Sequence, residues 1–111
     1  MNYQEMTDFE LELLVAKHFL GEGSYSYDAE KSEVYLAGMD GGDFLPNAYF
    51  RPINSWADAG PIAEENEIGV VKVLNGWCAT NDHVKHEGVF FVDPSPRRAI
   101  CIVFLMMKGG E

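Results

Sequence analysis

The longest uninterrupted apolar run in the chain is Ala99-Ile100-Cys101-Ile102-Val103-Phe104-Leu105-Met106-Met107, and any fold must take these nine side chains out of water. Ser95 can cap a helix ahead of the run, and Pro96 stands at the favoured first helical position. Lys108 and Gly109 close it with a cation and a residue that tolerates a left-handed stop. The capping predicts a buried helix over residues 96–108. The β-branched Ile100, Ile102 and Val103 would equally suit a central strand, but length and capping favour the helix. A bilayer span needs about 20 apolar residues, so the run is too short to cross a membrane.

A chain of 111 residues with 47% hydrophobic content fits one domain, residues 1–111. The polar start Met1-Asn2-Tyr3-Gln4-Glu5 lacks the basic and apolar regions of a secretory leader. Cys78 and Cys101 lie in apolar segments and read as reduced core thiols of a cytoplasmic protein. The net charge is −10, and it is uneven. Residues 1–67 hold fourteen acids and three bases, residues 68–111 four acids and five bases. Such a surface repels phosphate, which makes direct nucleic-acid binding an unfavourable reading and basic partners a favourable one.

Thr7-Asp8-Phe9-Glu10 has the form of a capping box that opens a helix running to about Leu20 and stopping at Gly21. Helical spacing puts Phe9, Leu13, Ala16 and Leu20 on one stripe and Leu11, Leu14, Val15 and His18 nearly opposite. A helix apolar on two sides needs two covers, one of them the C-terminal helix or a second subunit, so a homodimer is an expectation. Tyr25-Ser26-Tyr27 and Glu33-Val34-Tyr35-Leu36 suggest a hairpin, while residues 44–52 read as irregular and aromatic. Asn54-Ser55 can cap a short helix, Trp56-Ala57-Asp58-Ala59, bent or broken at Gly60-Pro61. Asn75-Gly76 joins Val70-Val71-Lys72-Val73-Leu74 to Trp77-Cys78-Ala79-Thr80 in a predicted hairpin with Asn-Gly as its turn. Val89-Phe90-Phe91-Val92 is a further strand or an extended lead into the last helix. The expected fold is α+β: a small antiparallel sheet of three to five strands packed by N- and C-terminal helices.

Pro52-Ile53-Asn54, Trp56-Ala57-Asp58-Ala59-Gly60-Pro61-Ile62, the apolar segment 68–74, Trp77 and the run from Pro96 to Met107 occur in an order and spacing that resembles the NinX-like proteins of lambda-type phages and prophages. The resemblance spans most of the chain but not residues 40–43 and 81–88. It implies a phage or prophage accessory protein in the cytoplasm of an infected or lysogenic bacterium. It carries over no catalytic residue.

Cys78, Asp82, His83, His86 and Glu87 form the richest chemical cluster. Zinc wants four tetrahedral ligands, and no Cys-x-x-Cys pair accompanies the two histidines, so a metal site or a Cys–His nucleophile in this loop is the alternative to a non-catalytic reading. Asp40 and Asp43 lack the spacing of a calcium loop. No phosphate-binding glycine motif is present and no cofactor is implied. The leading expectation is a protein-interaction module acting on a host or phage protein. Its candidate contact residues are Trp56, Asp58, Glu64, Glu65, Glu67 and Arg98. For Trp56 and Trp77 core packing is the commoner role, a binding edge beside Gly60-Pro61 the alternative for Trp56. Arg97 and Arg98 open a helix where the dipole disfavours cations, which calls for a carboxylate such as Asp58 or Asp93. Charge mimicry of nucleic acid would need Glu10, Glu12, Asp28, Glu30, Glu33, Glu64, Glu65 and Glu67 on one continuous face.

Overall fold

The C-terminal apolar run forms helix α3, Pro96–Met107, at the centre of the molecule. The structure, a computed structural model, describes residues 3–21, 23–37, 44–81 and 90–108. Ser95 caps α3 by accepting from the Arg98 backbone N–H at 3.3 Å, and Pro96 fills the first position, as the sequence predicts. Seven consecutive residues, Ala99 to Leu105, are buried. A helix apolar all round needs partners all round: helices α1 (Asp8–Val15) and α2 (Trp56–Glu65) pack on it, and a three-stranded sheet covers another side. Burying each of Phe104, Ile100 and Ile102 contributes about 1.5–3 kcal/mol, so α3 anchors the core.

The capping box of α1 forms: Thr7 N donates to Glu10 Oε1 at 2.8 Å and Glu10 N donates to Thr7 Oγ1 at 3.1 Å. After Val15 the helix widens into a π-helical turn, Ala16–Leu20, ending where Gly21 N reaches Ala16 O with φ of 90°. Phe19 there meets Phe104 edge-on at 5.9 Å. The buried stripe is Leu11, Glu12, Val15 and Ala16, between the two stripes expected from spacing. Phe9, Leu13, Leu14 and Leu20 are half-buried at the core margin, and His18 is exposed.

The secondary structure is α+β, with two antiparallel sheets where one was expected. The first joins β1 (Tyr25–Asp28), β2 (Glu33–Ala37) and β3 (Phe44–Tyr49) in that order. Asp28 Oδ1 accepts from the Glu30 and Lys31 backbone N–H groups and so turns the β1–β2 hairpin. Strand β3 replaces the irregular segment expected over residues 44–49: Pro46 donates no ladder bond but sits on the sheet edge, within a register shift opposite Tyr35 and Ala37. The second sheet joins β4 (Gly69–Val73), β5 (Gly76–Thr80) and β6 (Phe90–Asp93).

The β4–β5 hairpin forms, but one residue off the expected turn. Val73 pairs with Gly76, leaving Leu74 and Asn75 as the loop, and neither has positive φ. Gly76 is required for another reason. Its φ is 152°, and a Cβ there would lie 2.5 Å from the Asp93 carbonyl oxygen on β6. Gly76→Ala is expected to cost about 2 kcal/mol by urea unfolding, whereas Asn75→Ala, beside it in the loop, should cost well under half as much.

Helix α2 also departs from expectation, running through Gly60-Pro61 without a break. Pro61 forfeits one N–H in the ladder, but Ala59 and Ile62 are fully buried on the side facing α3 while Pro61 is exposed. Packing of that inner face holds the helix where propensity would end it. No helix among the described residues is long and apolar enough to cross a membrane.

Candidate interaction surface

Burial of Ala59 and Ile62 fixes the rotation of α2, so Trp56, Ala57, Pro61, Glu64 and Glu65 are exposed. Ser55 stands at the cap with extended backbone but makes no side-chain cap bond. Asp58, three residues into the helix, reaches back instead to the Arg51 backbone N–H at 2.8 Å. That bond ties the helix start to the connection leaving β3. At the other end Asn66 Nδ2 donates to Ile62 O at 2.8 Å, Ile68 N donates to Ala63 O at 2.9 Å, and Glu67 takes the left-handed conformation with φ of 57°.

Trp56 is 49% exposed, so it is not the core residue its apolar character favoured; Trp77 is half-buried. The Arg97 guanidinium lies 5.4 Å from the Trp56 ring centroid, and its Nε donates to Ile53 O at 2.8 Å. Thus Arg97 of α3 braces the indole while about half of the residue stays open to solvent. Nearby, Arg51 stacks on Tyr49 at 4.6 Å and pairs with Glu33 at 3.5 Å, and the Tyr35 hydroxyl donates to Glu33 at 2.6 Å. That bond pushes the Tyr35 phenol up to about 12. Arg97 and Arg51 were not among the candidate contact residues, because their stacking partners are settled only by the fold.

Of the six candidates, α2 brings together Trp56, Asp58, Glu64 and Glu65, with Glu67 just beyond its end. Arg98 lies apart from them in a structural role. Its Nε meets Asp93 at 3.3 Å and Nη1 pairs with Asp8. Its Nη2 donates to the carbonyls of Met6 at 2.8 Å and Gln4 at 3.2 Å. Asp93, together with Asp8 and not Asp58, therefore answers the unfavourable dipole at the start of α3.

The continuous acidic face that charge mimicry would need is not formed by all eight residues, because Glu12 is only 5% exposed. Its Oε2 accepts from the Ile53 N–H at 3.1 Å. Burial pushes its carboxyl up to about 7, helped by Asp8 and Asp58 and opposed by the Ile53 bond and Arg51. Asp28 is spent on its turn, Glu33 on Arg51 and Tyr35, and Glu10 on its own helix cap.

His83 and His86, with Asp82 and Glu87, lie outside the described residues, as does the Asp40–Asp43 segment. Among the described residues no group of three or more His, Cys, Asp or Glu is placed to hold a metal. Cys78 and Cys101 are free thiols. Ala79 is fully buried toward α3, so its neighbour Cys78 faces the other way, opposite to the inward orientation considered for it. Cys101 is buried, and desolvation pushes its thiol far above the ordinary range, which keeps it an inert core residue.

These features define a small acidic α+β protein with a braced aromatic and a row of carboxylates displayed on one helix. The sequence matches the family described as Bacteriophage P22, NinX over residues 2–108, and the chain belongs to that family. It is a phage accessory protein by that membership. No curated protein matches it.

Proposed function

We propose that the protein acts by contact, without catalysing a reaction, and that α2 docks on a basic surface of a host or phage protein in the bacterial cytoplasm. The observation that carries this reading is Trp56, half exposed yet held by Arg97 from another helix. A tryptophan fixed before binding loses little freedom on docking, and such anchors dominate interface energies. Glu64 and Glu65, both exposed, extend the same surface with negative charge. Those charges favour a basic partner, speed encounter and set orientation, while the indole supplies most of the affinity.

The test is affinity capture from phage-infected cells, run in parallel with wild type, Trp56→Ala and Glu64→Lys/Glu65→Lys. All three substitutions are at exposed positions, so circular dichroism should match wild type. A partner held by wild type is expected to be lost or reduced at least tenfold with both variants. Equal capture by all three would refute the assignment of α2.

A further inference from the structure

The second sheet departs from the pattern of a sheet with one wet face. Such a sheet alternates apolar and polar residues along each strand, and β2 does so, with Val34 buried between Glu33 and Tyr35. Strands β4 to β6 do not. Ala79 and its register partners Val70 and Phe91 take the inner face against the core. The next row, Val71, Cys78 and Val92, therefore lies on the outer face, two residues along from Thr80 and Phe90. Six large apolar side chains are exposed among the described residues, and four belong to this sheet and its hairpin tip. They are Val71, Val92, Phe90 at 63% and Leu74 at 99% exposure. The sequence of this sheet is that of one covered on both sides.

Charge singles out the cover. The outer rows, Gly69-Thr80-Phe90, Val71-Cys78-Val92 and Val73-Gly76, contain no charged residue in a chain of net charge −10. A basic partner gains nothing from a neutral face and is drawn to the carboxylates of α2. A contact about a two-fold axis brings each residue near the axis against its own copy or that copy's neighbours, so any charge there would meet its like. Neutrality is what self-pairing demands, and here two strongly acidic copies can approach.

The geometry points to a second copy of this chain as the occupant, packed face to face through the outer rows of β4, β5 and β6, with Val71, Val92 and Phe90 buried between the copies. The first helix, the route to a homodimer suggested by its apolar stripes, has its buried stripe turned to its own core. Three strands about 4.8 Å apart and about 17 Å long offer a footprint well below the ~800 Å² per partner of a standard interface, so the dimer is a weak, reversible one.

Sedimentation equilibrium of the whole chain, from about 20 µM to about 1 mM in low and high salt, tests this. The mass should rise with concentration from 12.4 kDa toward twice that value. The rise should be steeper in high salt, because screening removes the repulsion between copies. Val71→Glu and Val92→Glu should each hold the mass at the monomer value with an unchanged circular dichroism spectrum. Phe90→Ser, at a still more exposed position, provides the same readout should either fail to fold. Trp56→Ala should associate like wild type, which separates this face from the α2 surface. A wild type that stays monomeric at about 1 mM in both salts overturns the proposal, as does association that persists in the folded glutamate variants. A monomer that loses a heterologous partner on Val71→Glu gives the face to that partner and overturns self-pairing.

Discussion

At pH about 8.5 the Glu12→Gln variant is expected to be more stable than wild type by about 2–3 kcal/mol, while near pH 4.5 the two unfolding curves converge. Glu12 is carried into the core by the helical period of α1, where Leu11, Val15 and Ala16 are also buried. Its carboxyl titrates near 7 in the folded protein and near 4.5 when unfolded. A raised folded value means that folding favours the proton. The stabilisation from the neutral acid is complete below about pH 4.5 and is lost as pH rises toward and through 7, where the folded state must hold a buried charge. At 1.36 kcal/mol per unit the ceiling is about 3.4 kcal/mol. Glutamine stays neutral and keeps an oxygen for the Ile53 N–H, so it escapes the loss. Urea unfolding of both proteins at the two pH values checks this, and a difference that does not change with pH would contradict it. Other carboxylates titrate in both proteins and cancel in the comparison.

Arg98→Ala is expected to be the most damaging single substitution at a charged position, at about 3–4 kcal/mol. The guanidinium joins the start of α3 to the start of α1 through Asp8 and to the residues before it through the carbonyls of Gln4 and Met6. It also compensates Asp93, which is buried and whose other oxygen accepts from the Ser95 N–H at 3.0 Å. Truncation leaves that carboxylate without its cation, which costs more than the pair itself contributes. Arg98→Lys should recover only part of the loss, since one ammonium cannot span the same acceptors. Thermal unfolding should show a fall of roughly 10–20 °C for the alanine variant; a fall of a degree or two would mean that the two helix starts are held by packing alone.

Features set by neighbours in sequence are legible in the sequence itself. The Thr7–Glu10 box, the Ser95-Pro96 start of α3 and the existence of both hairpins are of this kind. Features set by distant contacts are not. Asn75-Gly76 marked a hairpin correctly, yet the loop residues are Leu74 and Asn75, and Gly76 is demanded by the approach of Asp93 from β6. Residues 44–49 read as irregular and Gly60-Pro61 as a break or bend in a helix, and tertiary pairing overrode both. Glu12 looked like one more surface acid because charge is read as outward unless a partner is visible, and its partner Ile53 is 41 residues away. The candidate surface was half legible: Trp56 and the acids of α2 could be named, but not Arg97, which holds the indole from a helix 41 positions on.

Docking through the α2 surface is tested most directly by an affinity measurement. With the captured partner purified, titration calorimetry against wild type should give an affinity that falls as salt is raised. Trp56→Ala should bind about 30-fold or more weakly, equivalent to about 2 kcal/mol. Glu64→Lys/Glu65→Lys should lose affinity along with much of the salt dependence. An affinity indifferent to Trp56, to both glutamates and to salt would contradict the account.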